Sequence, residues 1–224
     1  FTALEQRAIE FMARNSTRKQ LGHLLTELGL RGEGVEIGTH AARGSFPAVL
    51  LSTWAGGSRY TIVDPKGSPR GDVPEELQPF KAQGRVDLVT EYVEDAVGRF
   101  PNDHFAFVYI NPTSSSRGLK KHLEDWFPKL RDGGVFAGKD YCACHSEKSG
   151  DLAGRLARRP WCGTYHSGSK RGKEKAGFGK FTVAAVDSFA EEVGRRAFFT
   201  LEGRLPEDPH TSDGLANPSW WLIK

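Results

Sequence analysis

The sequence predicts an α/β fold, a largely parallel sheet with helices on both faces. Three observations predict it. Strand-like and helix-like patterns alternate five times from Gly34 to Gly138, and such alternation builds parallel sheets. Phe105 to Ile110 (Phe-Ala-Phe-Val-Tyr-Ile) is apolar throughout, as a central strand covered on both faces should be. Gly34-Val35-Glu36-Ile37-Gly38 ends an apolar strand on an acid and a glycine, and a second glycine, Gly44, precedes an apolar helical run from Phe46 to Leu51. That strand, loop and helix put backbone N–H groups and little side-chain bulk at a carboxyl strand end, where open α/β sheets bind ligands.

The elements come in this order. Residues 3–29 read as two helices: Leu4, Ala8, Ile9, Phe11 and Met12 form one apolar face, and Leu21, Leu24, Leu25 and Leu28 form another. Asn15-Ser16-Thr17 breaks and caps them, and Gly29 ends the second. Strand one is 34–37 and the next helix about 45–54, with Pro47 in its first turn. Strand two, 59–63, ends at Asp64, and an acid there can accept hydrogen bonds from both hydroxyls of a ribose. No G-x-G-x-x-G spacing is present, which disfavours NAD. The loop with Pro65, Gly67, Pro69, Gly71 and Pro74 reads either as a lid or as plain surface, and a short helix near 75–82 comes next. Val86 to Val89 is strand three, with a helix from about Glu91 to Phe100 behind it. The central strand ends at Asn111, helix 117–130 comes after it, and Asp132-Gly133-Gly134 reads as a turn before strand five, Val135 to Gly138. Beyond Lys139-Asp140-Tyr141 the pattern degrades until a helix at 181–193 and strands at 197–201 and 219–223.

The 224 residues fit one domain with an appendage, long enough to bury a substantial core. A net charge of +3 is too mild to argue for nucleic acid by itself. Three cysteines make no disulfide framework, and a reducing, cytoplasmic setting is the simpler reading. No apolar run approaches the length of a membrane span. The chain begins at Phe1 and is expected to be trimmed; an upstream anchor would instead favour a glycan acceptor in a secretory compartment.

The order and the residues resemble the class I S-adenosylmethionine-dependent methyltransferases, and within them the generic small-molecule and sugar O-methyltransferase-like group. The resemblance rests on Gly34 to Gly38, on Tyr60-Thr61-Ile62-Val63-Asp64-Pro65, on Phe107 to Asn111 with Trp126 to Tyr141, and on Pro218 to Lys224. It implies a Rossmann-like seven-stranded sheet whose last strand is antiparallel. It also implies an N-terminal helical cap over 1–33 and a methyltransferase domain over 34–224, with a substrate-side insertion at 142–180. The implied cofactor is S-adenosyl-L-methionine, and the implied acceptor is a small-molecule or glycan hydroxyl. On the matching positions, Glu36 and Gly38 line the methionine and ribose side, with Thr39, His40 and Ser45 in the loop and helix start beside them. Asp64 holds the ribose hydroxyls, Glu91, Tyr92 and Val93 stand where the adenine pocket is built, and Asn111 closes the fourth strand. The chemistry agrees: a carboxylate suits ribose hydroxyls, and Tyr92 offers a flat face for a purine.

Three departures from the family pattern bear on function. Five residues separate Gly38 from Gly44, where three are expected. The fourth strand ends in Asn111 rather than aspartate, and the fifth in Lys139-Asp140-Tyr141 rather than His-Asp-Tyr. A hard dication wants several anionic oxygens, and only Asp140 supplies one here, so no catalytic metal is expected. A hydroxyl acceptor must lose its proton. The candidate bases are Asp140, Lys139 and His145, with His166 more distant; Lys139 can equally be an ion-pair partner of Asp140 with neither doing chemistry.

Other readings compete. Cys142, Cys144 and His145 with Cys162 and His166 hold zinc-type donors at a poor spacing, and packed thiols are the alternative. The lysines and arginines between 148 and 175 suit phosphate, an acidic glycan or RNA, or are simply solvated. An RNA methyltransferase is therefore a second reading. A cofactor- or partner-binding protein that keeps the fold without chemistry is a third, favoured by Asn111 and Lys139.

Overall fold

The computed structural model describes residues 2–14, 17–38, 45–64, 73–111, 116–141, 182–200 and 218–224. Its strands are β1 (Gly32–Ile37), β2 (Gly57–Val63), β3 (Val86–Val89), β4 (Phe105–Ile110), β5 (Leu130–Gly138), β6 (Phe198–Phe199) and β7 (Trp220–Ile223). They form one sheet in the order β3-β2-β1-β4-β5-β7-β6. Pairing is parallel from β3 to β5, and β7 runs antiparallel to both β5 and β6. This is the expected seven-stranded sheet with a reversed last strand.

The helices are α1 (Ala3–Arg14), α2 (Leu21–Glu27), α3 (Ser45–Thr53), α4 (Gln78–Ala82), α5 (Val93–Ala96), α6 (Ser116–Trp126) and α7 (182–192). Strand alternation sorts them onto two faces. Tyr60, Phe107, Tyr109 and Trp221 point to one face, where Leu21, Leu24 and Leu25 of α2 and Phe46 and Leu50 of α3 cover them. Val35, Val108, Phe136 and Trp220 point to the other, under Val93 of α5, Leu119, Leu123 and Trp126 of α6 and Val186 and Phe189 of α7. Every residue of β4 is buried because both faces are covered. The tight contact at Trp54 explains the glycine in the middle of β1. A Cβ on Gly34 would stand 2.9 Å from the Tyr60 ring and 3.0 Å from the Trp54 ring. Trp54 itself is anchored by its indole N–H, which donates to the Leu30 carbonyl at 2.7 Å.

Several elements differ from their sequence expectations. The expected turn Asp132-Gly133-Gly134 lies inside β5, which begins at Leu130. Gly133 takes φ 72° and pairs with the chain end, its N–H donating to the Lys224 carbonyl at 3.2 Å while Lys224 N–H donates to Gly134 at 3.0 Å. The helix expected over 117–130 stops at Trp126 and finishes as the 3-10 turn Phe127–Lys129, which carries Pro128. The expected strand at 197–201 pairs over Phe198–Phe199 only. The Pro/Gly loop at 65–72 and the basic, cysteine-bearing segment 142–181 lie outside the described residues.

Candidate active site

The ladder of the sheet runs one residue past several parallel strands and fixes the position of that next residue. Gly38 N–H donates to Val63 at 3.2 Å, Asp64 N–H to Val89 at 3.1 Å, Asn111 N–H to Ile37 at 2.8 Å and Lys139 N–H to Ile110 at 3.0 Å. Gly38, Asp64, Asn111 and Lys139 therefore stand in a row along the carboxyl edge. Four of the strand ends singled out in the sequence are thus one place in space.

Gly38 sits at φ 111°, and a Cβ there would lie 2.2 Å from the Asn111 carbonyl oxygen. Only glycine lets the backbone leaving β1 pass so close to the backbone leaving β4. Asp64 is 3 % exposed at the end of β2. Tyr92, 54 % exposed, is the sole exposed large hydrophobic side chain among the described residues, and it stands past the end of β3. Val93, next to it, is buried against the helical face and offers a wall rather than a surface. Glu91 is held by Arg99, whose Nη1 donates to Oε1 at 2.9 Å.

Glu36 is the most unusual group at this edge. It is buried on the face that carries Tyr60 and Tyr109. Asn111 Nδ2 donates to its Oε1, and the Tyr60 hydroxyl donates to Oε2 at 3.3 Å. Burial raises its pKa to about 8, against the lowering pull of the Asn111 and Tyr60 hydrogen bonds and of the Arg18 and Lys139 charges. Burial likewise raises the Tyr109 hydroxyl to about 12 and lifts Tyr60 well above its ordinary value.

At the end of β5, Lys139 and Asp140 are half-buried and Tyr141 is buried. Asp140 has φ 64°, in the left-handed region that aspartate tolerates better than most side chains. The residue after it is pinned. Tyr141 N–H donates to the Pro218 carbonyl at 2.9 Å, its hydroxyl donates to Asp187 Oδ1 at 2.5 Å, and its ring stacks on Phe199 at 5.7 Å. Backbone strain held by such surroundings is typical of working sites.

The structure thus brings Glu36, Gly38, Asp64, Asn111, Lys139 and Asp140 to one edge, with Tyr92 along it. Thr39, His40 and His145 lie outside the described residues, as do His166 and the three cysteines; Ser45 contributes the first turn of α3. Among the described residues no cluster of three or more His, Cys, Asp or Glu is placed to hold a metal ion. Sequence reasoning missed Arg18, Tyr60, Tyr109 and Ser219 as companions of the site. Strand alternation places Tyr60 and Tyr109 on the face of Glu36 and is the signal that finds them; Arg18 carries none.

A mostly parallel sheet with this strand order, an acid at the end of β2 and a glycine crossing at the end of β1, has the form of a nucleoside-cofactor-binding α/β protein. Residues 35–141 match the family described as a methyltransferase domain. That stretch, just under half of the chain, carries Glu36, Gly38, Asp64, Asn111 and the end of β5, and it supports reading the chain as a class I S-adenosylmethionine-dependent methyltransferase. No curated protein sequence matches it. Among solved structures it is similar to a candidate caffeoyl-CoA O-methyltransferase from Staphylococcus aureus, at 13% identity and TM-score 0.57, over 100% of this chain and 93% of that one. It is similar to a candidate O-methyltransferase from Klebsiella pneumoniae, at 15% identity and TM-score 0.52, over 100% and 90%. It is also similar to the spermidine synthase of Thermotoga maritima, at 11% identity and TM-score 0.51, over 98% and 60%. At these identities the likeness establishes the fold, and the last neighbour carries a different named activity on it.

Proposed function

We propose that this enzyme methylates a hydroxyl of a small molecule or sugar without a catalytic metal. The observation that carries the reading is the row Gly38, Asp64, Asn111, Lys139 at the carboxyl edge, with Glu36 beneath it and Asp140 beside it. The residues fit the cofactor. The bare backbone at Gly38 permits a close approach, the Asp64 carboxylate accepts hydrogen bonds from ribose hydroxyls, and Tyr92 offers its ring to adenine.

When bound, S-adenosylmethionine supplies a sulfonium methyl group: the acceptor oxygen bonds to the methyl carbon as the sulfur–carbon bond breaks, and the hydroxyl proton must leave. Asp140 is the base this reading favours, since its left-handed backbone and the pinned Tyr141 hold it at the edge. Lys139, one residue nearer the strand, supplies positive charge to that place, and a neutral Asn111 stands opposite. Neither suits a divalent ion. The three cysteines support a reducing, cytoplasmic setting. No helix among the described residues is long and apolar enough to cross a membrane.

Calorimetric titration with S-adenosylmethionine and S-adenosylhomocysteine, first with chelator and then with magnesium, tests the reading. Micromolar binding indifferent to magnesium is expected, followed by turnover on a panel of sugars and phenols. Asp140→Asn should lower turnover about 100-fold or more with cofactor affinity unchanged. Binding that needs magnesium overturns the metal-free reading. Binding without turnover on any acceptor class favours the non-catalytic alternative that Asn111 and Lys139 allow.

A further inference from the structure

Arg18 is a buried cation that the reaction does not use. It opens the 3-10 turn Arg18–Gln20 between α1 and α2 and is 4 % exposed. Its Nη1 donates to the Tyr109 hydroxyl at 3.2 Å, and its guanidinium lies 5.5 Å from the Phe46 ring centroid. Tyr109 is the residue directly opposite Glu36 in the β1–β4 register, on the same face of the sheet. The Tyr109 hydroxyl also shares a hydrogen bond with Ser219 at 3.0 Å, so both partners fix its position. Taking a guanidinium out of water is costly, and an apolar side chain would fill the same space at lower cost.

The groups facing Glu36 come from every neighbouring element. Tyr60 comes from β2, Tyr109 from β4, Asn111 from the end of β4, Lys139 from the end of β5 and Arg18 from the N-terminal turn. Two opposing influences act on the carboxyl. Burial favours the neutral acid, whereas Asn111 and Tyr60 each donate to a different oxygen and so match the carboxylate. The balance is close, and a fixed charge can tip it.

We propose that Arg18 is a positioning residue for the cofactor site: by its charge and its grip on Tyr109 it eases Glu36 toward the carboxylate form, which is completed when the cationic part of S-adenosylmethionine arrives to face it. The inference rests on reading Glu36 as cofactor-binding. It makes the N-terminal turn a determinant of cofactor affinity. It also makes cofactor binding release a proton wherever the empty site holds Glu36 as the acid.

The test uses the full chain and its Arg18→Met and Arg18→Lys variants, titrated with S-adenosylmethionine from pH 6 to pH 9. Arg18→Met should shift the midpoint of the affinity–pH curve upward by about one pH unit or more and weaken binding about tenfold at pH 7. Arg18→Lys, which keeps the charge, should restore most of the wild-type curve. An unchanged midpoint in a folded Arg18→Met, or a loss of affinity that is equal at every pH, overturns the proposal. Should Arg18→Met fail to fold, the infrared carboxyl band of Glu36, identified by its loss in Glu36→Gln, is followed in the wild type instead. It should vanish when S-adenosylmethionine binds at pH 7, and its persistence overturns the proposal. A wild-type chain that binds no S-adenosylmethionine at any pH removes the cofactor reading of Glu36 and this inference together. Wild-type binding with an unaltered Arg18→Met profile removes this inference alone.

Discussion

Glu36→Gln is expected to unfold at a higher denaturant midpoint than the wild-type chain at pH 8.5, and to bind S-adenosylmethionine about tenfold more weakly or worse. The stability half follows from the raised pKa of about 8, against 4.5 for the unperturbed group. Near pH 4 the carboxyl is largely protonated in both states and the two chains differ little. Between pH 4.5 and 8 the unfolded chain has lost the proton and the folded chain still holds it. The folded state then binds more protons, so wild-type stability falls as pH rises. Above pH 8 the difference has reached its full size, on the order of a few kcal/mol. Glutamine has no charge to desolvate. It can still accept from Asn111 and share a hydrogen bond with Tyr60, so it escapes that fall. The attraction of Arg18 and Lys139 is already included in the value of about 8 and does not reverse the sign. Urea denaturation of both chains at pH 4.5 and pH 8.5 checks this. A wild type that is the more stable of the two at pH 8.5 means that Glu36 is a net stabilising carboxylate and the burial argument is wrong. The affinity half follows from loss of the buried carboxyl beneath Gly38 that becomes an anion against the bound cofactor, and it makes this position a place where stability is given up for binding.

Gly38→Ala is expected to lose about 3 kcal/mol of stability or more, together with measurable cofactor binding. Two independent costs meet at this position. The backbone is at φ 111°, where a Cβ is strained whatever the space. The new methyl would also lie 2.2 Å from the Asn111 carbonyl oxygen, which is backbone and cannot rotate away. The strand ends must separate, and that pulls on the Asn111 N–H bond to Ile37 and on the Asn111 bond to Glu36. Urea denaturation and calorimetry read the two effects separately. A destabilised Gly38→Ala that still binds S-adenosylmethionine with wild-type affinity would show that the cofactor does not lie over this crossing.

Much of this site can be read in the sequence because its residues sit at the ends of strands that announce themselves. β4 is apolar from Phe105 to Ile110, so Asn111 is at once the first polar residue beyond it. Val63 to Asp64 and Ile37 to Gly38 change character just as sharply. β5 is harder. Asp132-Gly133-Gly134 has the local chemistry of a turn, and only pairing with the chain end, through Lys224, makes it strand. Arg18 is harder still. It lies in a helix break beside Lys19 and shortly after Arg14, and nothing local separates a buried arginine from its solvated neighbours. Its burial is decided by Tyr109, far along the chain, and by Phe46, whose ring it covers. Contacts of that kind are set by the folded whole and leave no mark in a short window.

The antiparallel insertion of β7 between β5 and β6 sets an order of assembly. The five parallel strands draw only on residues 32–138, and each finds its neighbour among them. β6 has no ladder partner among the described residues except β7, and it holds on by two register pairs, Phe198 with Trp221 and Phe199 with Trp220. β6 can therefore join only after β7 has docked, and it must leave when β7 leaves. Native-state amide exchange should divide the sheet accordingly. The amides of β1 and β4 exchange only on global unfolding, whereas those of β6 and β7 exchange together through a smaller opening. Because Ser219 precedes β7 and grips Tyr109, that smaller opening also loosens the far side of the cofactor edge. Cofactor binding at that edge should therefore slow exchange at β6 and β7.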